Sequence, residues 1–254
     1  MERIRKPFQG ILNIIRFNWH FYFLSLCGLV LLLVLKNLFG KEIGLLVEWL
    51  IIIVVFSISL SLVVSFFIYD LSNLYKLDWL DGIIINPQGK AINIHAGFDE
   101  TSNLLQENYP SFELIVFDFY DPLKHTEISI KRARKAYPPY KGTKQISTNF
   151  FPLPNDSIDA VFVILSAHEI RNDEERAFFF KEITRVLKAS GKIIVVEHLR
   201  DLPNFLAYSI GAFHFLSRST WLKTFVYGDL NLQKEIKINP FMCCFILKKN
   251  GTTT

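Results

Sequence analysis

Two long uncharged runs constrain this chain before anything else does. Residues 17–35 and 49–69 hold nineteen and twenty-one residues without Asp, Glu, Lys or Arg. A hydrocarbon core of about 30 Å needs about 20 apolar residues in helical form. Each run is long enough, and the expected spans are residues 17–35 and 47–69. Residues 36–42, containing Gly40, make a short polar connection suited to a tight helical hairpin. Two buried core helices are the competing reading, but a chain of this length rarely hides two helices apolar on every side. A cleaved signal fits poorly, because the first run is long, lacks a small-x-small site and is followed at once by the second.

Half of the 254 residues are hydrophobic and 24 are Phe, with the excess concentrated in the first 70 positions. The net charge of +4 is mild and does not by itself imply nucleic acid. Arg3, Arg5, Lys6 and Arg16 precede the first run, against Lys36 and Lys41 in the connection. The positive-inside rule then puts the N-terminus, and everything after residue 70, in the cytoplasm. The expected location is thus a two-span membrane protein. The cysteines agree with a reducing compartment. Cys27 sits in an apolar run, Cys243 and Cys244 are adjacent, and none has metal-ligand spacing.

Beyond residue 70 the pattern changes to alternating strands and helices. Residues 70–81 space Leu71, Leu74, Tyr75 and Trp79 helically and predict an amphipathic continuation of the second span. Gly82, Asn86-Pro87 and Gly89 then break the chain. Residues 91–102, A-I-N-I-H-A-G-F-D-E-T-S, read as a buried strand, a turn at Gly97 and a helix over 99–108. In an open α/β sheet such a unit gathers nucleotide-like ligands, since backbone N–H groups and a helix N-terminus converge there. Further strands are expected at 113–117, near 145–146, and at 160–165, 192–196, 230–238 and 241–247. Helices are expected at 123–136, at 173–188 capped by Gly191, and around 203–227. Apolar strands alternating with helices predict a mostly parallel, doubly covered sheet.

Two motifs make the pattern specific. F-P-L-P-N-D-S-I-D (151–159) runs into an apolar strand and A-H-E-I, and R-V-L-K-A-S-G-K-I-I-V-V-E spans 185–197. Together they resemble the second half of class I S-adenosylmethionine-dependent methyltransferases, especially those acting on lipids, quinones and sterols. Tyr69-Asp70 and Tyr75 are similar to the start of that family's N-terminal helix. The resemblance covers roughly residues 70–248. It implies a Rossmann-like, doubly wound, mostly parallel seven-stranded sheet, here preceded by a transmembrane hairpin. The implied division is an anchor at 1–69 and a methyltransferase-like domain at 70–250.

The resemblance also implies site residues. Alignment with the family's glycine-rich cofactor loop puts Asn93 at its acid, and His95, Gly97 and Asp99 at its three glycines. Only Gly97 is retained. Asp118 matches the acid that grips the ribose hydroxyls, while the adenine-side acid falls at Ser147, with Thr148 and Asn149 beside it. His168 and Glu169, and His198 after Glu197, fall where family members face the methyl acceptor. His168 is the natural base, oriented by Glu169 or Glu197.

No metal is expected. His95, His168 and His198 do share C-terminal strand ends with Asp99, Asp118, Glu169 and Glu197, an arrangement that can gather a transition metal. The stretch 124–144 is basic, with Glu127 its lone acid, which suits a solvated face or attraction to anionic headgroups. Nucleic acid is not expected, since stacking aromatics there are limited to Tyr137 and Tyr140.

The reading is a membrane-anchored methyltransferase using S-adenosylmethionine on a lipid or lipid-soluble small-molecule acceptor, with membrane lipids as its surroundings. A catalytically silent, membrane-tethered binding module is the alternative, on the strength of the lost glycines and the lost adenine-side acid.

Overall fold

The computed structural model describes residues 5–38, 41–84 and 87–251. Arg3, Gly40 and Asn86 of the sequence reading lie outside the described residues. Three helices come first: α1 (Gln9–Phe17), α2 (Trp19–Leu38) and α3 (Lys41–Phe66). α2, and α3 with its continuation to Tyr75, are long and apolar enough to cross a membrane by length and composition. They pack on each other, and Lys36 pairs with Glu48 at 3.2 Å near their shared end. α1 was not expected. It precedes the apolar runs and is amphipathic, with Gly10, Asn13 and Phe17 turned inward.

The expected helix over 70–81 is replaced by a chain of short turns. A π-helical turn closes α3 at Phe67–Leu71, and single 3-10 turns follow at Asn73–Tyr75 and Asp78–Leu80. Ser72 is extended and Leu77 is left-handed at φ 61°, so the helix is broken twice. The apolar spacing was real, for Leu74, Leu77 and Leu80 are all buried. Burial needed only those side chains turned inward, not a continuous helix.

The sheet has seven strands: β1 (Gly89–His95), β2 (Phe112–Asp118), β3 (Lys144–Gln145), β4 (Ile158–Ile164), β5 (Leu187–His198), β6 (Leu230–Asn239) and β7 (Met242–Lys249). Their order is β3-β2-β1-β4-β5-β7-β6. The pairs from β3 to β5 are parallel, and β7 is antiparallel to both β5 and β6. Alternate side chains of β4 feed the two covered faces. Val161 and Val163 join Phe179, Phe180 and Trp221 on one face, while Ala160 and Phe162 join Ile68, Leu74 and Phe112 on the other.

The remaining helices are α4 (Ser102–Asn108), α5 (Ile128–Ala136), α6 (Asp173–Val186), α7 (Leu202–Tyr208) and α8 (Arg218–Tyr227), with a 3-10 segment at Ser209–His214. Helix α6 does not extend to a Gly191 cap; it passes straight into β5, and Gly191 is a strand residue. A Cβ there would come within 2.7 Å of Leu187 and 3.1 Å of the Asp159 carbonyl, so close approach demands glycine. Helix α5 begins at Ile128 rather than 123, because Asp121 folds 121–125 into a turn, its carboxylate accepting from Leu123 N.

Candidate active site

The parallel order reverses between β1 and β4, and this switch point is where an open α/β sheet forms its crevice. The turn after β1 opens it. Gly97 has φ +90°, which glycine alone adopts readily. Asn93, aligned with the family's acid, donates to Thr101 Oγ1 at 2.9 Å and Ser102 Oγ at 2.8 Å. Asp99 Oδ1 accepts from the backbone N–H groups of Thr101 and Ser102, at 3.0 and 2.9 Å. It therefore caps the start of α4 where the family's third glycine stands.

His95 bends back on the same turn, its Nδ1 accepting from Gly97 N at 3.1 Å. That bond fixes the proton of the neutral ring on Nε2. Burial favours this neutral form by lowering the His95 pKa. Among the described residues, Asn93 Oδ1, His95 Nε2 and Asp99 Oδ2 are all buried without a hydrogen-bond partner. Buried polar atoms are rarely left so, and three of them surround one turn.

Asp118 ends β2 beside His95 in the register. Its Oδ1 accepts from Tyr120 N at 2.9 Å, and Oδ2 is paired with Arg134 of α5. The arginine lies over the turn, since a Cβ on Gly97 would meet Arg134 Nη1 at 2.7 Å. Its guanidinium also stacks on Tyr120, 4.4 Å from the ring centre. Beyond it opens a crevice of about 810 Å³, lined by Phe119, Tyr120, Ile146, Ser147, Thr148 and Glu175 among others. Ser147 is exposed and bonded to Asn149, whereas Thr148 donates to Glu175 on α6 at 2.5 Å. A carboxylate thus stands beside the adenine-side positions after all, brought from another element.

On the other side of the switch point lies a carboxylate–imidazole cluster. His168 Nδ1 donates to Glu197 at 2.6 Å, and its Nε2 is 3.1 Å from Glu169. His214, from the 3-10 segment after α7, reaches the same group, its Nε2 3.9 Å from Glu169 and its Nδ1 3.0 Å from Glu127. Burial pulls the His168 pKa down, but the Glu197 charge and the bonds to both carboxylates outweigh it and push it up to about 10. His198 does not join this cluster. It bonds Tyr69 Oη through Nε2 at 2.8 Å and Asn204 Oδ1 through Nδ1 at 3.0 Å, and it stacks on Phe215. Burial lowers its pKa to about 4. The three histidines at strand ends therefore go to three different environments.

Sequence reasoning missed Arg134, Glu175 and His214. Glu127 carried a signal as the one acid in a basic stretch. His214 carried none, because it reaches the cluster from the far end of the 202–214 excursion.

Residues 97–195 match the model of a methyltransferase domain family. No curated protein matches the chain in sequence. Among solved structures, an S-adenosylmethionine-dependent methyltransferase from Aquifex aeolicus superposes with a TM-score of 0.50 at 12% identity, covering 69% of this chain and 89% of that one. One from Methanosarcina mazei gives 0.48 at 13%, covering 67% and 97%. At such identities the likeness is one of fold, and it rests on the first.

S-adenosylmethionine is the cofactor of that family, and the residues around the turn can be tested against it. Its methionine end carries an ammonium, which needs acceptors, and a carboxylate, which needs donors. The unpartnered atoms are two acceptors, Asn93 Oδ1 and Asp99 Oδ2, and one donor, His95 Nε2. Asp118 stands where ribose hydroxyls would be held, and the crevice beyond has aromatic and polar walls. The donor set fits, with the one-third-exposed Arg134 side chain as an obstacle. The matched segment and the strand order show that the α/β unit is similar to methyltransferase domains and shares the fold of S-adenosylmethionine-dependent methyltransferases.

Proposed function

We propose that the chain is a membrane-anchored methyltransferase acting on a lipid-soluble or membrane-associated acceptor, with residues 1–69 as anchor and 70–250 as the catalytic domain facing the cytoplasm. The observation that carries the enzymatic part is the trio of unpartnered polar atoms at the Gly97 turn beside Asp118. The bound cofactor would supply an electrophilic methyl group. Asn93, His95 and Asp99 would hold its amino-acid end, Asp118 its ribose, and Thr148 with Glu175 its adenine. Positioning dominates such a transfer, so these contacts would do most of the work.

His168 and Glu169 stand at the end of β4, where an acceptor would approach. With its pKa pushed up to about 10, His168 is the imidazolium at neutral pH. It can accept a proton from an acceptor only after losing its own. His198, closed in by Tyr69 and Asn204, positions the first turn after α3 instead.

Support for the membrane comes from α2, none of whose residues is fully buried although it packs on α3. Leu202, Leu206, Ile210 and Phe213 are exposed apolar residues of the 202–214 segment. A cleft of about 320 Å³ runs between this segment and Leu60 and Val64 of α3. An apolar acceptor chain leaving the bilayer along α3 would meet that cleft first. Calorimetry on the detergent-solubilised chain tests the reading: micromolar binding of S-adenosylmethionine supports it, and no binding overturns it.

One observation favours a second reading. Arg134 covers Gly97 and occupies Asp118, as in a domain that no longer takes the cofactor and serves as a tethered binding module. The double change His95→Gly and Asp99→Gly separates the two readings. Gained affinity indicates a decayed site, and lost affinity a site rebuilt around those side chains.

A further inference from the structure

The cluster at the end of β4 has a feature that an ordinary ion-pair network lacks. Both imidazoles direct one nitrogen to a carboxylate of their own, His168 Nδ1 to Glu197 at 2.6 Å and His214 Nδ1 to Glu127 at 3.0 Å. Both direct the other nitrogen, Nε2, at the same oxygen of Glu169, at 3.1 and 3.9 Å. The ligand atoms of His168, Glu169 and His214 all lie within 4.8 Å of one another. The rings stand at 73° with centres 5.3 Å apart, so they converge instead of stacking.

A carboxylate on Nδ1 fixes the proton of a neutral imidazole there and leaves a bare lone pair on Nε2. Once His168 gives up its Nε2 proton, two such nitrogens and a carboxylate oxygen point at one spot. Without an ion, the proton between His168 Nε2 and Glu169 and the Arg171 guanidinium beside His214 Nε2 occupy that spot, and a bound cation would replace both. Glu197 and Glu169 are both more than nine-tenths buried, so solvent does not screen them. With neutral imidazoles, Glu127, Glu169 and Glu197 outweigh Arg171, the one guanidinium in contact among the described residues, by two negative charges.

We propose that His168 Nε2, His214 Nε2 and the Glu169 carboxylate bind a divalent transition-metal ion of the zinc class, with Glu197 and Glu127 orienting the two imidazoles. Two nitrogens and one carboxylate select against Mg²⁺ and Ca²⁺, which take oxygen ligands. They match the His₂Glu donor set of zinc sites that keep an open position. Arg171 lies against the outer side, its Nη2 2.5 and 2.8 Å from the two ring nitrogens of His214 and 3.3 Å from Glu127. Its side chain is 43% exposed, and its Nη1 also donates to the His214 carbonyl at 2.6 Å, so an ion reaching His214 Nε2 would have to displace the guanidinium toward solvent. The open position would face the place assigned to the acceptor, where the ion would hold an acceptor oxygen. That last role rests on the methyltransferase reading; metal binding does not.

The test uses the full chain in detergent, stripped with chelator, and titrated with Zn²⁺ by calorimetry and with Co²⁺ by visible absorption. One equivalent per chain is expected, with a Co²⁺ spectrum of four or five nitrogen and oxygen ligands. His214→Ala, at a half-exposed position, should weaken binding at least tenfold, whereas His20→Ala should leave it unchanged. Failure of the stripped wild type to bind one equivalent overturns the proposal. So does binding that His214→Ala leaves intact, and so does a six-coordinate all-oxygen Co²⁺ spectrum. The wild-type stoichiometry and spectrum decide the matter even if the variant unfolds. S-adenosylmethionine binding, measured on the same stripped protein, fails or succeeds independently.

Discussion

Arg134 and Asp118 form an ion pair across the mouth of the crevice at the strand ends, with the Gly97 turn beneath the arginine. The Asp118 carboxylate is nearly inaccessible, whereas the Arg134 side chain is about one-third exposed. The arginine is the solvent-facing partner. Its helix is also fastened to the N-terminal segment: Arg132 donates to the Phe17 carbonyl at 2.5 Å and contacts His20 at 2.8 Å, and Tyr137 donates to Asn13.

Replacing the plug should therefore help the cofactor. Arg134→Ala is expected to raise S-adenosylmethionine affinity about tenfold, since a charge-assisted contact of roughly 1.5 kcal/mol no longer has to break. Asp118→Ala is expected to lower it more than tenfold. Calorimetry on the two variants checks both signs, and a loss of affinity in Arg134→Ala would show that the arginine grips the ligand instead.

Asp70 ties the front of the chain to the turn that closes α3. Its two oxygens accept from Gly10 N and Ile11 N, each at 2.8 Å, at the start of α1. Asp70→Ala should cost about 1 kcal/mol of local stability, as the loss of a capping group does. Faster amide exchange confined to residues 9–17 is the expected readout. Uniform exchange across the chain would contradict it.

The pH dependence follows from His198. Burial lowers its pKa from 6.5 to about 4, so between those values the unfolded chain binds a proton that the folded chain does not. Its contribution is fully present above pH 6.5 and is lost as pH falls toward 4, up to about 3 kcal/mol. Thermal melts of wild type and His198→Gln should diverge at neutral pH and converge near pH 4. A constant gap across that range would refute the assignment.

The 202–214 segment predicts its own surface behaviour. Leu206 and Ile210 are 67% and 82% exposed beside α3. Leu206→Asp with Ile210→Asp should reduce turnover of a vesicle-borne acceptor several-fold while leaving cofactor binding unchanged, because buried apolar area drives interfacial contact. Equal turnover would separate the segment from the bilayer.

The positions of the strands and the mostly parallel sheet were legible because fully apolar runs such as 160–165 and 192–196 leave a buried parallel strand as the simplest outcome. Local backbone detail was not. Leu77 at positive φ and the direct passage from α6 into β5 depend on what surrounds them, and no spacing of residues encodes that. The site divided in the same way. Asn93, His95, Gly97, Asp99 and Asp118 are close in sequence or at strand ends, and the structure gathers them at one turn. Arg134, Glu175 and His214 come from helices and an excursion whose docking is tertiary, so no local motif announces them. His198 shows the converse, for a strand-end position was legible while its partners Tyr69 and Asn204 were not.

Helix α5 carries both Arg132, at the junction of α1 and α2, and Arg134, over the cofactor turn. Two grips on one rigid element cannot be released wholly independently. If cofactor entry displaces Arg134, it also works against the collar at Phe17, and a tilt of the first apolar helix works against Arg134 in return. Such coupling is reciprocal by thermodynamic necessity. If α2 spans a bilayer, as proposed, a change of bilayer thickness that alters its tilt would then change S-adenosylmethionine affinity.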